Sequence, residues 1–283
     1  MIYITDEIIE NIIKEDVPFS DITTDILDIA SKKGQLTFYA RENGVIAGSS
    51  VAAKIFKKLG AQVVYEINEG SSILKDEKIL QVKASADILH TGWKVSLNTL
   101  EYLSGIATYS NKMVTKARNI NENIMLAATR KSLPLSKQLV TLGFLAGGVV
   151  PHRLGLSETI LIFKQHLEFL GGIDNLEKTI KHSKNKAYEK KIILETENYE
   201  DSIKALHYDF IDGLQVDKLA PNIIKDIVNE RNKTNKHIVI IAAGGINLTN
   251  IEDYANTGAE VIVSSSFFHA SPLDIKALME MEG

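Results

Sequence analysis

Ile238-Val239-Ile240-Ile241-Ala242-Ala243-Gly244-Gly245-Ile246-Asn247 is an apolar run that ends on two glycines and an asparagine. It lacks the alternation of a half-exposed strand, so it predicts a strand covered on both faces over 238–242, as in parallel sheets. A helical pattern over 248–257 and a second apolar run over 260–263 follow. The same unit recurs upstream, with strands over 124–128, 159–163, 191–196 and 211–216 and helical patterns over 136–146, 174–186, 200–206 and 221–231. This alternation predicts an α/β fold around a parallel sheet, closed as a barrel or open and doubly wound. Six strands are legible, not the eight of a full barrel. The others fall in 147–157, or the barrel is incomplete.

The first third has a different rhythm and reads as α+β. Thr5 caps a helix over 5–14 whose apolar face is Ile8, Ile9, Ile12 and Ile13. Strands over 35–41 and 45–47 flank a turn at Asn43-Gly44. A helix over 50–59, strands over 62–67 and 78–83, and a long helix over 86–118 follow, the last interrupted at Gly105. Trp93 and the Tyr and Phe residues read as core.

Composition narrows the chemistry. With 283 residues, 45% hydrophobic and 24% charged, the chain can bury a substantial core. A net charge of −4 with interspersed signs argues against nucleic-acid or polybasic membrane partners. The absence of cysteine excludes disulfides, thiolate catalysis and Cys-ligated metals. No apolar run approaches the roughly 20 residues needed to span a bilayer, and the first residues lack a basic n-region. A cytoplasmic location is expected. Lysines number 27 and arginines only 5, so each arginine invites a specific explanation.

Charged and small polar residues cluster where the predicted strands end. These are Thr129-Arg130-Lys131, Lys164-Gln165-His166, Glu195 with Glu197, Asp217-Lys218, Ala243-Gly244-Gly245 and Ser264-Ser265-Ser266. In α/β barrels that end carries the chemistry. Arg130 and Arg153 there suggest bidentate recognition of carboxylate or phosphate; as surface pairs each would contribute only about 0–1 kcal/mol. Gly244-Gly245 before a helix at Asn247, with the serines on the next strand, has the form of a phosphate cradle. Glu195 and Asp217 could hold Mg²⁺ or ribose hydroxyls. Alternation puts Glu195 and Glu197 on one strand face, which in a barrel is the lumen. His152 could orient a substrate or move a proton.

These residues resemble those of the quinolinate phosphoribosyltransferase family. Glu15-Asp16, Asp21-Ile22-Thr23-Thr24, Ser104-Gly105-Ile106-Ala107-Thr108, Thr129-Arg130-Lys131, Gly147-Gly148, His152-Arg153-Leu154-Gly155-Leu156, Gly244-Gly245-Ile246, His269 and Asp274-Ile275 occur in the family's order. The resemblance implies an N-terminal α/β sandwich over 1–110, which 272–283 can join, and an incomplete α/β barrel over 111–271. It also implies a homodimer with shared active sites. Arg130, Lys131, His152, Arg153, Lys164 and His166 would meet an acidic heterocycle and the diphosphate of phosphoribosyl diphosphate, with Lys94 reaching in from the neighbour. Glu195 and Asp217 would hold ribose hydroxyls and Mg²⁺. Ala243, Gly244, Gly245, Ser264, Ser265, Ser266 and His269 would hold the 5′-phosphate.

The departures are informative. Phe163 stands where the family has a lysine, Lys164-Gln165 where it has Asp-Asn, and Lys218 where it has Asn. Ala128, Lys137, Val149 and Ala243 also differ from the pattern. Trp93-Lys94, Pro151-His152-Arg153, Gln165-His166 and Asp217-Lys218 resemble the ModD branch, which is associated with molybdenum-transport operons. The resemblance implies a phosphoribosyltransferase of quinolinate type. The alternative is a protein that binds a phosphorylated metabolite or oxyanion without catalysis. A Schiff-base barrel enzyme using Lys131 is a third reading.

Overall fold

Burying an apolar run takes its backbone groups out of water, so such runs pair with one another, and among the described residues they do so in three sheets of four, seven and two strands. The computed structural model describes residues 2–183 and 188–282; the end of the helix expected over 174–186 lies outside them. The chain divides into two compact units. One comprises Met1–Asn111, Ser132–Gly148 and Phe267–Gly283, and the other Lys112–Lys131 and Val149–Ser266.

The first unit opens with α1 (Asp6–Asp16), where the Thr5 hydroxyl accepts from the Ile8 N–H at 3.4 Å, and a short α2 (Ile22–Ile26) capped by Asp21. Its strands are β1 (Lys33–Ala40), β2 (Gly44–Val45), β3 (Gln62–Glu66), β4 (Ser72–Ile73) and β5 (Lys78–Ser85). The main sheet is antiparallel, and its first strand by position is the C-terminal one, Ile275–Met281, which pairs Gly34 with Met281 and Ala40 with Ile275. Alternation turns Leu36, Phe38 and Ala40 inward against Phe56 of α3 (Ser49–Leu59) and against Leu97 and Leu100 of α4 (Ala86–Ile120).

The second unit holds seven parallel strands: β6 (Met125–Ala128), β7 (Val150–Pro151), β8 (Ile160–Ile162), β9 (Ile192–Thr196), β10 (Gly213–Asp217), β11 (Val239–Ala243) and β12 (Val261–Ser264). Their spatial order is β7-β6-β12-β11-β10-β9-β8. Sequence neighbours are therefore spatial neighbours all the way round, except between β7 and β8. The sheet is a barrel with one seam, as expected of an incomplete barrel. The strand missing from the sequence reading is Val150–Pro151, two residues long and inside the stretch where it was sought. The helices between these strands are α6 (Lys164–Leu170), α7 (Leu176–Ser183), α8 (Tyr199–Ala205), α9 (Pro221–Thr234) and α10 (Ile251–Ala255), while α5 (Lys137–Ala146) belongs to the first unit. The terminal strand of the first unit is β13 (Ile275–Met281).

Three expectations are corrected. The long helix is not interrupted at Gly105, because α4 runs through it. A Cβ there would collide with the Ser271 carbonyl oxygen, so this glycine permits a close backbone approach and breaks nothing. Trp93 is not core but 37% exposed, and Phe19, Phe169, Tyr3, Tyr102 and Tyr188 are exposed as well. The helix after Gly245 begins at Ile251, not near 248, because Asn247 closes a turn first: its Oδ1 accepts from the Thr249 N–H and its carbonyl from the Ile251 N–H.

Among the described residues no helix is long and apolar enough to cross a membrane. Alanine at position 105 should therefore destabilise the chain despite its better helix propensity. Propensity gains about 1 kcal/mol, whereas forcing a methyl into that contact costs about 1–3 kcal/mol. Urea unfolding of Gly105→Ala should show a lower midpoint; a raised midpoint would refute the close-approach role.

Candidate active site

Parallel pairing aligns side chains level by level across the second unit. One inward level runs Glu195, Gln215, Ile241, Val261 and Met125 on β9, β10, β11, β12 and β6. The next runs Asp217, Ala243, Val263, Ala127 and Val150. Ala127, Ile241, Ala243 and Val263 form a buried cluster, with Val150, Ile193 and Val261 packed on it. That cluster identifies the interior side. Two residues further along each strand, the same parity reaches Thr129, His152, Gly245 and Ser265. Leu161 pairs with Ile193, so Phe163, still extended at φ −102° and ψ 165°, has the parity of Glu195. The strand ends therefore carry Thr129, His152, Phe163, Gly245 and Ser265 on the same side as Glu195, and that side is the interior.

The basic side is built on β6 and β7. The Lys131 N–H donates to Thr129 Oγ1 at 3.3 Å, a turn that leaves Arg130 and Lys131 exposed. His152 is tied to β6 by its N–H on the Ala128 carbonyl at 3.0 Å. Arg153 is only 8% exposed. Among the described residues it makes no hydrogen bond or ion pair, and its guanidinium lies 5.5 Å from the Phe163 ring centroid. Burial and the nearby Arg130 charge pull Arg153 below its ordinary range, with Glu158 and Glu195 opposing. Arg130 and Arg153 repel each other, and a pair of neighbouring guanidinium groups is chemically suited to an anion. His152 Nε2 is buried without a partner, and burial next to Arg153 pulls this imidazole down to about 4, so it is neutral at pH 7.

Beside them, Phe163 stacks on His166 at 5.8 Å and 19°, and His166 Nδ1 accepts from the Phe163 N–H at 2.9 Å. Lys164 starts α6 and is directed to Glu197, at 3.5 Å. The helix that it starts was not anticipated from the sequence.

The acidic side is built on β9 and β10. Gln215 Nε2 donates to Glu195 Oε2, and Gln215 Oε1 is buried without a partner. Burial pushes the Glu195 carboxyl up, and Asp217 and Glu197 add to this. Gln215 was missed by sequence reasoning, although an amide inside an apolar strand was a visible signal. Lys218 Nζ lies 3.3 Å from Asp217 Oδ2, with its backbone at φ 59°. Among the described residues no three His, Asp or Glu side chains converge on a metal position. Two carboxylates suit Mg²⁺, which is commonly held by one or two carboxylates plus phosphate oxygens. The mutual repulsion at Glu195 fits a cation there.

The glycine turn follows β11. Gly244 has φ +88°, and a Cβ on it would meet the Lys218 N at 2.5 Å and Asp217 Oδ1 at 2.6 Å. Gly245, at φ +72°, has nothing within 4 Å of its Cβ position. Of the three serines, Ser264 has opposite parity to Val263. Its hydroxyl is engaged by the Ile246 carbonyl at 2.6 Å and by Ser266 Oγ at 2.8 Å. Ser265 and Ser266 are half-buried. Arg130, Lys131, His152, Arg153, Lys164, His166, Glu195, Asp217, Ala243, Gly244, Gly245 and the serines thus share one unit. Lys94 and His269, both exposed, belong to the other.

Family models for the C-terminal and N-terminal domains of quinolinate phosphoribosyl transferase match residues 106–277 and 21–104. A ModD protein from Pasteurella multocida is 34% identical over 282 residues, covering all of both chains. A protein of Methanothermobacter thermautotrophicus, named as a carboxylating nicotinate-nucleotide pyrophosphorylase, is 31% identical over 284 residues, covering 98% and 99%. The solved nicotinate-nucleotide pyrophosphorylase of Ehrlichia chaffeensis has the same fold, with a TM-score of 0.89 and 24% identity over 99% of this chain and 100% of that one.

The His152 environment has a pH signature. Its folded value lies below the unfolded value of about 6.5, so its contribution is complete above pH 6.5 and is lost as pH falls toward 4. The loss reaches about 3 kcal/mol at pH 4. Urea unfolding from pH 7.5 to 4.5 should show wild type losing stability more steeply than His152→Gln; parallel profiles would refute a buried, neutral imidazole.

Proposed function

The chain belongs to the quinolinate phosphoribosyl transferase family, and we propose that it transfers a phosphoribosyl group from phosphoribosyl diphosphate to an acidic N-heterocycle, releasing diphosphate. The observation that carries this reading is the separation of charge around the strand ends. Arg130 and Arg153, which follow β6 and β7, make no ion pair among the described residues, and Glu195 and Asp217 lie close enough to repel each other at the ends of β9 and β10. A substrate with anionic groups at one end and ribose hydroxyls at the other complements both sides.

In this reading Arg153 and His152 orient the heterocycle, with Lys164 and His166 at its rim. Arg130 and Lys131 meet the diphosphate, where negative charge grows as the bond to ribose breaks. Glu195, aligned by Gln215, and Asp217 receive the ribose hydroxyls and hold Mg²⁺. That ion supplies charge neutralisation to the departing diphosphate. The 5′-phosphate rests on Ala243, Gly244 and Gly245 with Ser265 and Ser266, while Ser264 shapes the turn. The heterocycle nitrogen attacks C1 as the C1–oxygen bond breaks with its electron pair. When the acceptor is quinolinate, CO₂ follows. We also propose a homodimer in which Lys94 completes the neighbour's site.

A second reading, binding without turnover, draws on Lys218, which already places a cation on Asp217. Ligand-dependent thermal stabilisation with no diphosphate release would select it.

Phosphoribosyl diphosphate affinity should fall at least about 30-fold in Arg130→Ala, equivalent to about 2 kcal/mol, with an unchanged melting temperature. Unaltered affinity would remove Arg130 from the site. Mixing inactive Lys94→Ala and Arg130→Ala chains should restore part of the diphosphate release, because one site in the hybrid is intact. No recovery after subunit exchange would count against a shared site.

A further inference from the structure

We propose that the acceptor is a planar aromatic ring bearing a single carboxylate, held by Arg153 with its ring alongside Phe163, and not a vicinal dicarboxylate. This rests on the phosphoribosyl-transfer reading of the same site and specifies its second substrate.

Few cations lie beside the Phe163 ring. Arg153 is buried and pairs with no described carboxylate, so its donors are free for one anionic group. A carboxylate on that guanidinium brings an attached planar ring next to the Phe163 side chain, whose orientation is set by the His166 stack and by the Phe163 N–H bond to His166 Nδ1. A second, adjacent carboxylate would need a second cation at the same depth. Phe163 occupies the inward position at the end of β8 and supplies none. Lys164 has the opposite parity and is directed to Glu197. His152 is neutral at pH 7. Glu158 and Glu195 are close enough to act on Arg153 and would repel an extra negative charge. Arg130 and Lys131, exposed at the rim, are left for diphosphate, and Lys94, exposed on its own unit, serves the same outer end in the proposed dimer.

The reaction balances without loss of carbon. The ring nitrogen's lone pair forms the bond to C1, the C1–oxygen bond breaks, and its electron pair leaves with diphosphate. The carboxylate stays on the product.

Titration calorimetry of the intact protein with pyridine-3-carboxylate, pyridine-2,3-dicarboxylate and pyridine-3-carboxamide tests the proposal without turnover. The monocarboxylate should bind at least 10-fold more tightly than either of the others. Phe163→Lys should reverse the order of the two acids, and Phe163→Leu should weaken the monocarboxylate while leaving the melting temperature within a few degrees. The proposal is overturned if the dicarboxylate binds wild type as tightly as the monocarboxylate, if none of the three binds, or if Phe163→Lys leaves the ratio unchanged. Phosphoribosyl diphosphate is titrated separately. Its failure to bind would sink the transfer reading alone, since the pyridine titrations read the pocket directly.

Discussion

Seven parallel strands in a single register decide which side chains share a level, and the site is a consequence of that alignment. The level of Asp217 is otherwise apolar, with Ala243, Val263, Ala127 and Val150 closing the interior beneath the strand ends. Thr129, His152, Gly245 and Ser265 follow beyond that level, whereas Glu195 and Gln215 lie one level before it. A slip of one residue on β9 would send Glu195 to the outer face and bring Leu194 inside. Gln215 fits this scheme, because an amide can donate to Glu195 without adding charge.

The two sides of the site differ in how charge is treated. On the acidic side Lys218 and Gln215 partly satisfy the carboxylates. On the basic side Arg153 is buried beside an aromatic face and Arg130 repels it. Burying a guanidinium with no ion pair among the described residues is costly, and in the proposed reading an incoming anion relieves that cost. This is the electrostatic arrangement expected where ligand, not protein, completes the pairing.

Backbone constraints hold these side chains in place. Gly244 tolerates φ +88° and leaves room for Asp217 and Lys218 where a Cβ would collide. Lys218 itself sits at φ 59°, a cost that the Lys218 N–H bond to the Ala243 carbonyl at 2.8 Å helps to offset. The β10 and β11 turns thus lock each other.

Much of this was legible in the residues alone. Long apolar runs predicted parallel strands because burial on both faces erases alternation, and the polar residues at their ends predicted where chemistry would collect. Arginine scarcity singled out Arg130 and Arg153. What the pattern could not carry was anything shorter than its period or dependent on distant contacts. Val150–Pro151 is too short to show periodicity. Gly105 looks the same in sequence whether it breaks a helix or admits the Ser271 backbone. Asn247 reads as a helix start until its own side chain is seen closing a turn. Whether Lys164 or Phe163 faces the lumen depends on register with β9, and whether Arg153 is paired depends on carboxylates brought near by the fold. The residue types and their order determined the fold class and the candidate residues. Tertiary structure alone decided which charges are compensated, because compensation is a matter of distance between strands that the sequence holds far apart.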